Sequence, residues 1–144
     1  MKDQNVFQLI RTVEAFTNET IIRWTKAFGH QIGISPILVL YELKTKGAQK
    51  QTQLAGSLGY TPGAMTNIAN RLLKDGYAKR QLDGTDRRIV RLMITEKGRQ
   101  LLKEAQQKGQ ELREELFSVL TENEVRQFLM IHEKLLQNIK NDGV

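Results

Sequence analysis

The chain has 144 residues, and its 22 lysines and arginines outnumber 16 acidic residues to give a formal net charge of +6. This length predicts one compact domain or one domain with helical extensions, and 40% hydrophobic residues are typical of a folded protein. The absence of cysteine excludes a disulfide framework, a thiolate nucleophile, a thiol redox switch and a cysteine-ligated zinc site. The polar start and the lack of a long apolar run predict a cytoplasmic protein without a secretory signal or a membrane partner.

Helices are predicted along the first half of the chain from apolar residues that recur every three and four positions. The first helix covers residues 6–28. The second follows Ser35-Pro36, where Ser35 supplies the N-cap, and ends near Gly47. A short third helix covers residues 52–58, so this half of the chain is expected to be entirely helical.

A fourth helix begins at the cap-and-proline pair Thr61-Pro62 and ends at Gly76. The apolar period then changes to that of strands, and the runs 77–82 and 89–94 predict a β-hairpin with a charged tip. Thr95 caps a fifth helix, and a capping box begins a sixth at residue 121. The predicted fold class is mainly α with a small β-hairpin. The last helix is expected to bury an apolar face made of Val125, Phe128, Leu129, Leu135, Leu136 and Ile139.

The central segment carries most of the net positive charge, with nine basic and four acidic residues between positions 60 and 100. Such a concentration suits a polyanion, and an ordinary basic surface is the alternative. The element order here, helix, helix, short turn, helix and hairpin, is that of a winged helix-turn-helix. The fourth helix is then expected to enter the DNA major groove with the small and polar residues of its N-terminal end. These residues are Thr61, Gly63, Ala64, Thr66 and Asn67.

Basic residues extend this predicted DNA surface along the helix and into the hairpin. The Asn67 amide suits adenine, while Arg71 and Lys74, further along the helix, are placed for phosphates. Arg87 and Arg88 at the hairpin tip are expected to enter a minor groove, where the negative potential attracts guanidinium groups. Asp86 beside them is interpreted as a brace that orients an arginine through a bidentate pair. The alternative is a solvated turn with a local salt bridge.

Three segments of the chain closely resemble the signature of the MarR family of bacterial transcriptional regulators. They are Arg71-Leu72-Leu73-Lys74-Asp75-Gly76-Tyr77-Ala78-Lys79-Arg80, then Asp86-Arg87-Arg88, and finally Leu92-Met93-Ile94-Thr95-Glu96-Lys97-Gly98. The resemblance implies a dimeric winged-helix repressor or activator, with repressor as the preferred interpretation. It matches Arg88 to the family's minor-groove arginine, Asp86 to the residue that braces it, Arg87 to a basic wing position and Arg80 to the strand arginine. Two positions depart from the pattern, because Gly84 replaces a common proline and Asn67 a common basic residue.

The terminal helices carry apolar faces that lie outside the predicted DNA-binding domain. The resemblance implies that residues 1–34 and 100–144 form a helical dimerisation region around a winged helix-turn-helix domain at 35–99. A two-fold dimer presents two recognition helices to half-sites about one helical turn apart, which predicts a pseudopalindromic DNA operator. The alternative is that these helices complete the core of a monomer.

Other kinds of site find little support in the sequence. His30 and His132 could bind a metal only if folding placed them near carboxylates such as Glu19 or Glu133, so no metal site and no cofactor are predicted. No catalytic motif is recognisable, and the protein is not expected to be an enzyme. The resemblance implies a small aromatic or lipophilic effector between the dimer helices and the winged domain. Trp24, Phe28 and Tyr41 are candidates to line such a cleft, although helical spacing makes them core residues first.

These observations predict a homodimeric, sequence-specific DNA-binding regulator that a small molecule releases by changing the spacing of its recognition helices. An architectural DNA-binding protein without an effector is one alternative. A helical module for protein interaction is another, and it predicts that Arg88 is dispensable.

Overall fold

The structure, a computed structural model, describes residues 2–82, 84–86 and 88–142, with the side chain of residue 2 left aside. The chain divides into two compact units, with the boundary between Gly109 and Gln110. None of the described helices combines the length and the apolar character that a membrane span requires. The elements are α1 (Lys2–Phe28), α2 (Ile34–Lys46), α3 (Gln51–Leu58), α4 (Pro62–Lys74), β1 (Ala78–Leu82), β2 (Val90–Ile94), α5 (Glu96–Phe117) and α6 (Glu122–Asn141). The predicted element order and the hairpin are therefore confirmed.

Several helix ends follow the predicted local chemistry. The Thr61 side chain accepts a hydrogen bond from the Ala64 amide at 3.2 Å, and Pro62 occupies the first turn of α4. At α6, the Thr121 side chain accepts from the Glu124 amide, and the Glu124 carboxylate accepts from the Thr121 amide at 2.9 Å. The capping box is therefore confirmed.

The predicted start of α2 is wrong by two residues. Helix α2 begins at Ile34, Gly33 is its N-cap, and no side chain caps it. Ser35 therefore lies inside the first turn rather than at the N-cap. Pro36 is still accommodated, because the amides of a first turn have no partner within the helix and the missing proline N–H costs nothing there.

The core of the first unit forms where α2, α3, α4, the hairpin and α5 bring their apolar faces together. Burying each large apolar side chain stabilises the fold by about 1.5–3 kcal/mol relative to leaving it exposed. This core fixes the orientation of α4 and the hairpin, the two predicted DNA-contacting elements. Its most deeply buried large side chains are Leu40, Leu43, Leu54, Met65, Leu72, Leu92 and Leu102.

The hairpin receives a third backbone partner from the α2–α3 connection. Strands β1 and β2 pair antiparallel, with Ala78 opposite Ile94 and Leu82 opposite Val90. On the other edge of β2, the Gln49 amide donates to the Leu92 carbonyl at 3.0 Å, and the Leu92 amide donates to the Gln49 carbonyl at 2.8 Å. This two-way bridge ties the base of the hairpin to the helix-turn-helix.

The C-terminal end of α1 is anchored within the first unit. The indole N–H of Trp24 donates to the Ala105 carbonyl on α5 at 3.0 Å, and the Trp24 and Phe28 rings stack with centroids 4.9 Å apart. Just beyond α1, the His30 Nε2 lies 2.6 Å from a carboxylate oxygen of Glu104. The end of this long helix is therefore fixed to the first half of α5.

The apolar face of α6 is exposed in the single chain. The predicted burial of this face is therefore wrong for the monomer, and so is the alternative that these residues complete a monomer core. Helix α1 exposes a comparable stripe that includes Val6, Leu9, Val13 and Phe16. The six α6 residues Val125, Phe128, Leu129, Leu135, Leu136 and Ile139 are between 46% and 68% exposed.

Candidate nucleic-acid interface

The N-terminal end of α4 presents short side chains to solvent. Met65, Ala69 and Leu72 face the core and Ile68 is half-buried, whereas the other residues of the first two turns are exposed. The Asn67 side-chain amide forms no hydrogen bond within the described chain, which leaves both its donor and its acceptor available. Exposed on this face are the predicted base-contacting residues Thr61, Gly63, Ala64, Thr66 and Asn67.

Arg71, predicted to contact phosphate, is engaged within the protein. Its Nε donates to the Asp75 carboxylate at 2.7 Å, and its Nη2 donates to the Gln31 carbonyl in the α1–α2 connection. The Arg71 side chain therefore links the recognition helix to the segment that follows α1. Its contact with phosphate stays a prediction, as does that of Lys74, which lies exposed near the end of the helix.

A clasp of three residues from the start of α5 holds the turn between α4 and β1. The Thr95 hydroxyl donates to the Gly76 carbonyl at 2.6 Å and accepts from the Gly98 amide at 3.1 Å. The Lys97 ammonium donates to the Asp75 carbonyl at 2.8 Å and lies 4.9 Å from the centre of the Tyr77 ring. The turn itself requires glycine, because Gly76 has a φ of 79°. Residues Thr95, Lys97 and Gly98 thus set the angle between recognition helix and hairpin.

The wing, defined as β1, β2 and the turn between them, carries the predicted aspartate–arginine brace. Arg88 donates from Nε to one Asp86 oxygen and from Nη2 to the other, both at 3.1 Å. Its backbone amide donates to Asp86 as well, at 3.0 Å. These bonds hold the pKa of the Asp86 carboxyl below its ordinary value and raise the pKa of Arg88. The Arg88 side chain is still 91% exposed, so the brace orients a guanidinium that points into solvent.

The brace is expected to persist at every physiological pH. Because the pKa of Asp86 is lowered in the folded chain, its contribution is fully present above the ordinary value of 3.8 and is lost as pH falls through the lowered one. An NMR titration of the Asp86 carboxyl should give a midpoint below 3.8 that returns toward this value in Arg88→Ala. An identical midpoint in both proteins would show that the pair does not form in solution.

The remaining predicted DNA contacts lie on the wing. Arg80 is exposed on β1, where its Cα partner in the sheet is Leu92. Arg87 lies outside the described residues. Arg80 and Arg88 line a shared cavity with Lys50, a residue that the sequence analysis did not single out. A lysine at the N-cap of α3 is an unusual choice, and this is the feature that could have revealed it.

The candidate effector residues do not share one environment. Trp24 and Phe28 are buried in contact with each other, whereas Tyr41 on α2 is 47% exposed. Glu19 and Glu133, the carboxylates named above as a condition for a metal site, do not pair with His30, which pairs with Glu104. No acidic residue in the described part of the chain pairs with His132. Its ring stacks on Phe128 with centroids 4.3 Å apart. No cluster of three metal-binding side chains occurs in the described part of the chain.

A helix-turn-helix whose second helix is exposed at its N-terminal end, followed by a basic hairpin, defines a winged helix-turn-helix protein. Comparison with known proteins identifies the family. A model of the MarR family matches residues 34–90. The transcriptional repressor MprA of Escherichia coli K12 is 30% identical over 122 residues, which cover 83% of this chain and 69% of MprA. The HTH-type transcriptional repressor MdtR of Bacillus subtilis is 30% identical over 112 residues, 76% of this chain and 72% of MdtR. The chain belongs to the MarR family.

Solved structures show the same fold over nearly the whole chain. A MarR family protein from Bacillus stearothermophilus superimposes with a TM-score of 0.84 at 19% identity, covering 97% of this chain and 99% of its own. A mutant MarR from Escherichia coli, complexed with operator DNA, gives a TM-score of 0.76 at 23% identity and covers 92% and 96%. The winged-helix fold with flanking terminal helices is therefore confirmed.

Proposed function

We propose that the protein is a transcriptional repressor that binds a pseudopalindromic operator as a homodimer. The observation that carries this proposal is the pairing of an exposed α4 N-terminal end with a braced, outward-pointing Arg88 on the wing. A helix fits the major groove, and a basic hairpin beside it reaches the flanking minor groove. The relatives MprA and MdtR are both named as repressors, which supports repression rather than activation.

We assign the recognition of the DNA sequence to the exposed turns of α4. Asn67 has a free amide that can donate to and accept from one adenine edge, and Thr66 can place its methyl group against thymine. The Thr61 hydroxyl is less available for a base contact, because it caps the helix. Small residues at 63 and 64 let the helix backbone approach the bases closely.

The wing supplies a contact that depends on shape and charge. The Asp86 brace fixes Arg88 before DNA arrives, which reduces the side-chain entropy lost on insertion. Arg80 extends the positive surface toward the base of the hairpin, and Arg87 is assigned to the wing by its place in the sequence. A narrow minor groove attracts such guanidinium groups.

The apolar faces of α1 and α6 support the homodimer. An exposed stripe of large apolar residues on each helix is costly in water, and a second copy of the chain can cover it. We assign residues 35–99 to DNA binding and residues 1–34 and 100–144 to dimerisation. The two-fold axis then places two α4 helices at half-sites about one DNA turn apart.

Effector release is proposed through the end of α1. Trp24 and Phe28 are buried, so an aromatic or lipophilic ligand can reach them only if the end of α1 moves. Such a movement would break the Trp24–Ala105 bond and disturb the nearby segment that Arg71 links to α4. Ligand binding would in this way change the spacing of the recognition helices.

Arg88→Ala tests the proposed function. The variant should bind DNA from the region upstream of its own gene more weakly by about 1–3 kcal/mol, because it lacks the minor-groove guanidinium while its fold is intact. Fluorescence anisotropy at two salt concentrations measures the affinity for this fragment and for a scrambled one.

The control is Arg113→Ala, which removes an exposed arginine of α5 with the same loss of charge. It should bind like the wild type. Equal affinity of the wild type for the upstream and scrambled fragments would contradict sequence-specific regulation. An architectural protein would behave in that manner.

A further inference from the structure

A cavity of about 350 Å³ lies between the first turn of α3 and the wing. Four cationic side chains line it: Lys50 before α3, Arg80 on β1, Arg88 in the wing turn and Arg91 on β2. The polar residues Gln51 and Thr52 complete one wall. None of the described residues that line the cavity is acidic. The cavity therefore presents positive charge from the segment before α3 and from both strands and the turn of the wing.

Like charges that line the same cavity repel one another. Lys50 is half-buried, so its interaction with neighbouring charges is screened less than that of a fully solvated charge. Within the described part of the chain, neither Lys50 nor Arg80 belongs to an ion pair. Arg88 shares its charge with Asp86, which lies outside the lining. An anion bound among these groups would remove the repulsion.

The N-terminal end of α3 adds to the positive electrostatic potential in the cavity. Its N-cap is Lys50, whose own amide donates to the Gln53 side-chain oxygen at 3.0 Å, but the Lys50 side chain offers no oxygen to the amides that follow. Serine, threonine, aspartate and asparagine are favoured at this position because their oxygen accepts from those amides. Lysine has no acceptor and adds a charge of the same sign as the helix end. Because Gln51 and Thr52 of this first turn line the cavity, an anion there would compensate both unfavourable features.

We propose that this cavity binds a phosphate group. Arginine forms paired hydrogen bonds with phosphate oxygens, and lysine supplies a compact charge. Two sources carry this chemistry. One is a backbone phosphate of DNA beside the half-site, in which case the inference rests on the proposed function. The other is the phosphate of a small molecule, which would hold Arg80 and Arg88 away from DNA.

Lys50→Gln is the test, because Lys50, unlike Arg80 and Arg88, has no part in the proposed base and groove contacts. The matched control is Lys103→Gln, which removes the same charge from an exposed position of α5, outside the cavity and outside the apolar faces of α1 and α6. For both variants and the wild type, anisotropy with the upstream fragment gives the slope of log affinity against log salt. If the phosphate belongs to DNA, Lys50→Gln lowers the magnitude of that slope by about one and Lys103→Gln leaves it unchanged.

A second arm uses inorganic phosphate as the probe. Thermal unfolding of the full chain is followed in sodium phosphate and in sodium chloride of equal ionic strength. If the source is a small molecule, phosphate raises the midpoint above that in chloride by more for the wild type than for Lys50→Gln, because its general stabilising effect is common to both, and phosphate also displaces DNA.

The inference is overturned if Lys50→Gln matches Lys103→Gln in salt slope and phosphate stabilises Lys50→Gln as much as it stabilises the wild type. Failure of the proposed function is distinguishable from this result. It shows as a wild type that does not discriminate the upstream from the scrambled fragment, and the phosphate arm still tests the cavity in that event.

Discussion

Gly98→Ala is expected to lower the free energy of unfolding by about 3 kcal/mol, at the upper end of ordinary overpacking. A Cβ at this position would lie 2.1 Å from the Tyr77 carbonyl oxygen and 2.9 Å from the Ile94 side chain. The nearest atom belongs to the backbone, so no flexible side chain can move aside. Either α5 or the start of β1 must shift, and the Thr95–Gly76 bond of the clasp shifts with it. Urea unfolding followed by circular dichroism measures the change.

Gly56→Ala is the matched control for this substitution. Gly56 lies inside α3, and an added Cβ there meets nothing within 4 Å. Since alanine is the better helix former, this variant should gain about 0.5–1 kcal/mol. If both variants lose the same stability, the close approach of α5 to Tyr77 is not the cause. Loss of DNA binding in Gly98→Ala under conditions where it remains folded would show that the clasp positions the wing.

Leu129→Asp is expected to weaken dimerisation by about three orders of magnitude. The exposed Leu129 side chain lies in the middle of the α6 apolar face. Losing its burial costs about 1.5–3 kcal/mol, and burying an unpaired carboxylate costs more, so a total of about 4 kcal/mol corresponds to a thousandfold change. Sedimentation equilibrium measures the monomer fraction, and operator affinity should fall with it because one recognition helix contacts only one half-site.

Gln127→Asp controls for the introduced charge. Helical geometry places position 127 on the opposite side of α6 from the apolar face, and its side chain is exposed. This variant should remain dimeric. If Leu129→Asp also sediments as a dimer, α6 is not the interface and the α1 stripe becomes the surface to test.

Local chemistry explains which parts of the fold were predictable. The Thr61 cap, the Thr121 capping box and the brace of Arg88 by Asp86 each join residues at most three apart, so the sequence contains both partners side by side. Ser35 was misassigned for a related reason. A serine–proline pair fits the first turn at more than one position, and the local pattern cannot choose between them.

Contacts between distant segments explain what the sequence could not provide. The Arg71 guanidinium donates to the Gln31 backbone carbonyl, 40 positions away in the chain. Because every residue type has such a carbonyl, the sequence contains no signal for this acceptor. The bridge between Gln49 and Leu92 likewise joins backbones. The phosphate cavity forms only where the segment before α3 meets the wing, so only the folded chain brings Lys50 to the wing. The exposure of the α6 face was missed because an apolar stripe predicts burial without saying against which chain.

The outer surface of α4 has a consequence for how operator preference can change. Asn67 has no side-chain partner within the described chain, and Thr66 bonds only to the Pro62 carbonyl of its own helix. On the opposite side of α4, the buried residues Met65, Ala69 and Leu72 pack into the core. Exchanging Thr66 or Asn67 should therefore leave stability almost unaltered, unlike Thr61, whose side chain caps the helix. With α4 contacting the bases as proposed, new DNA specificities would be accessible by single substitutions at these two positions without a compensating change elsewhere, which makes this helix a suitable starting point for engineered regulators.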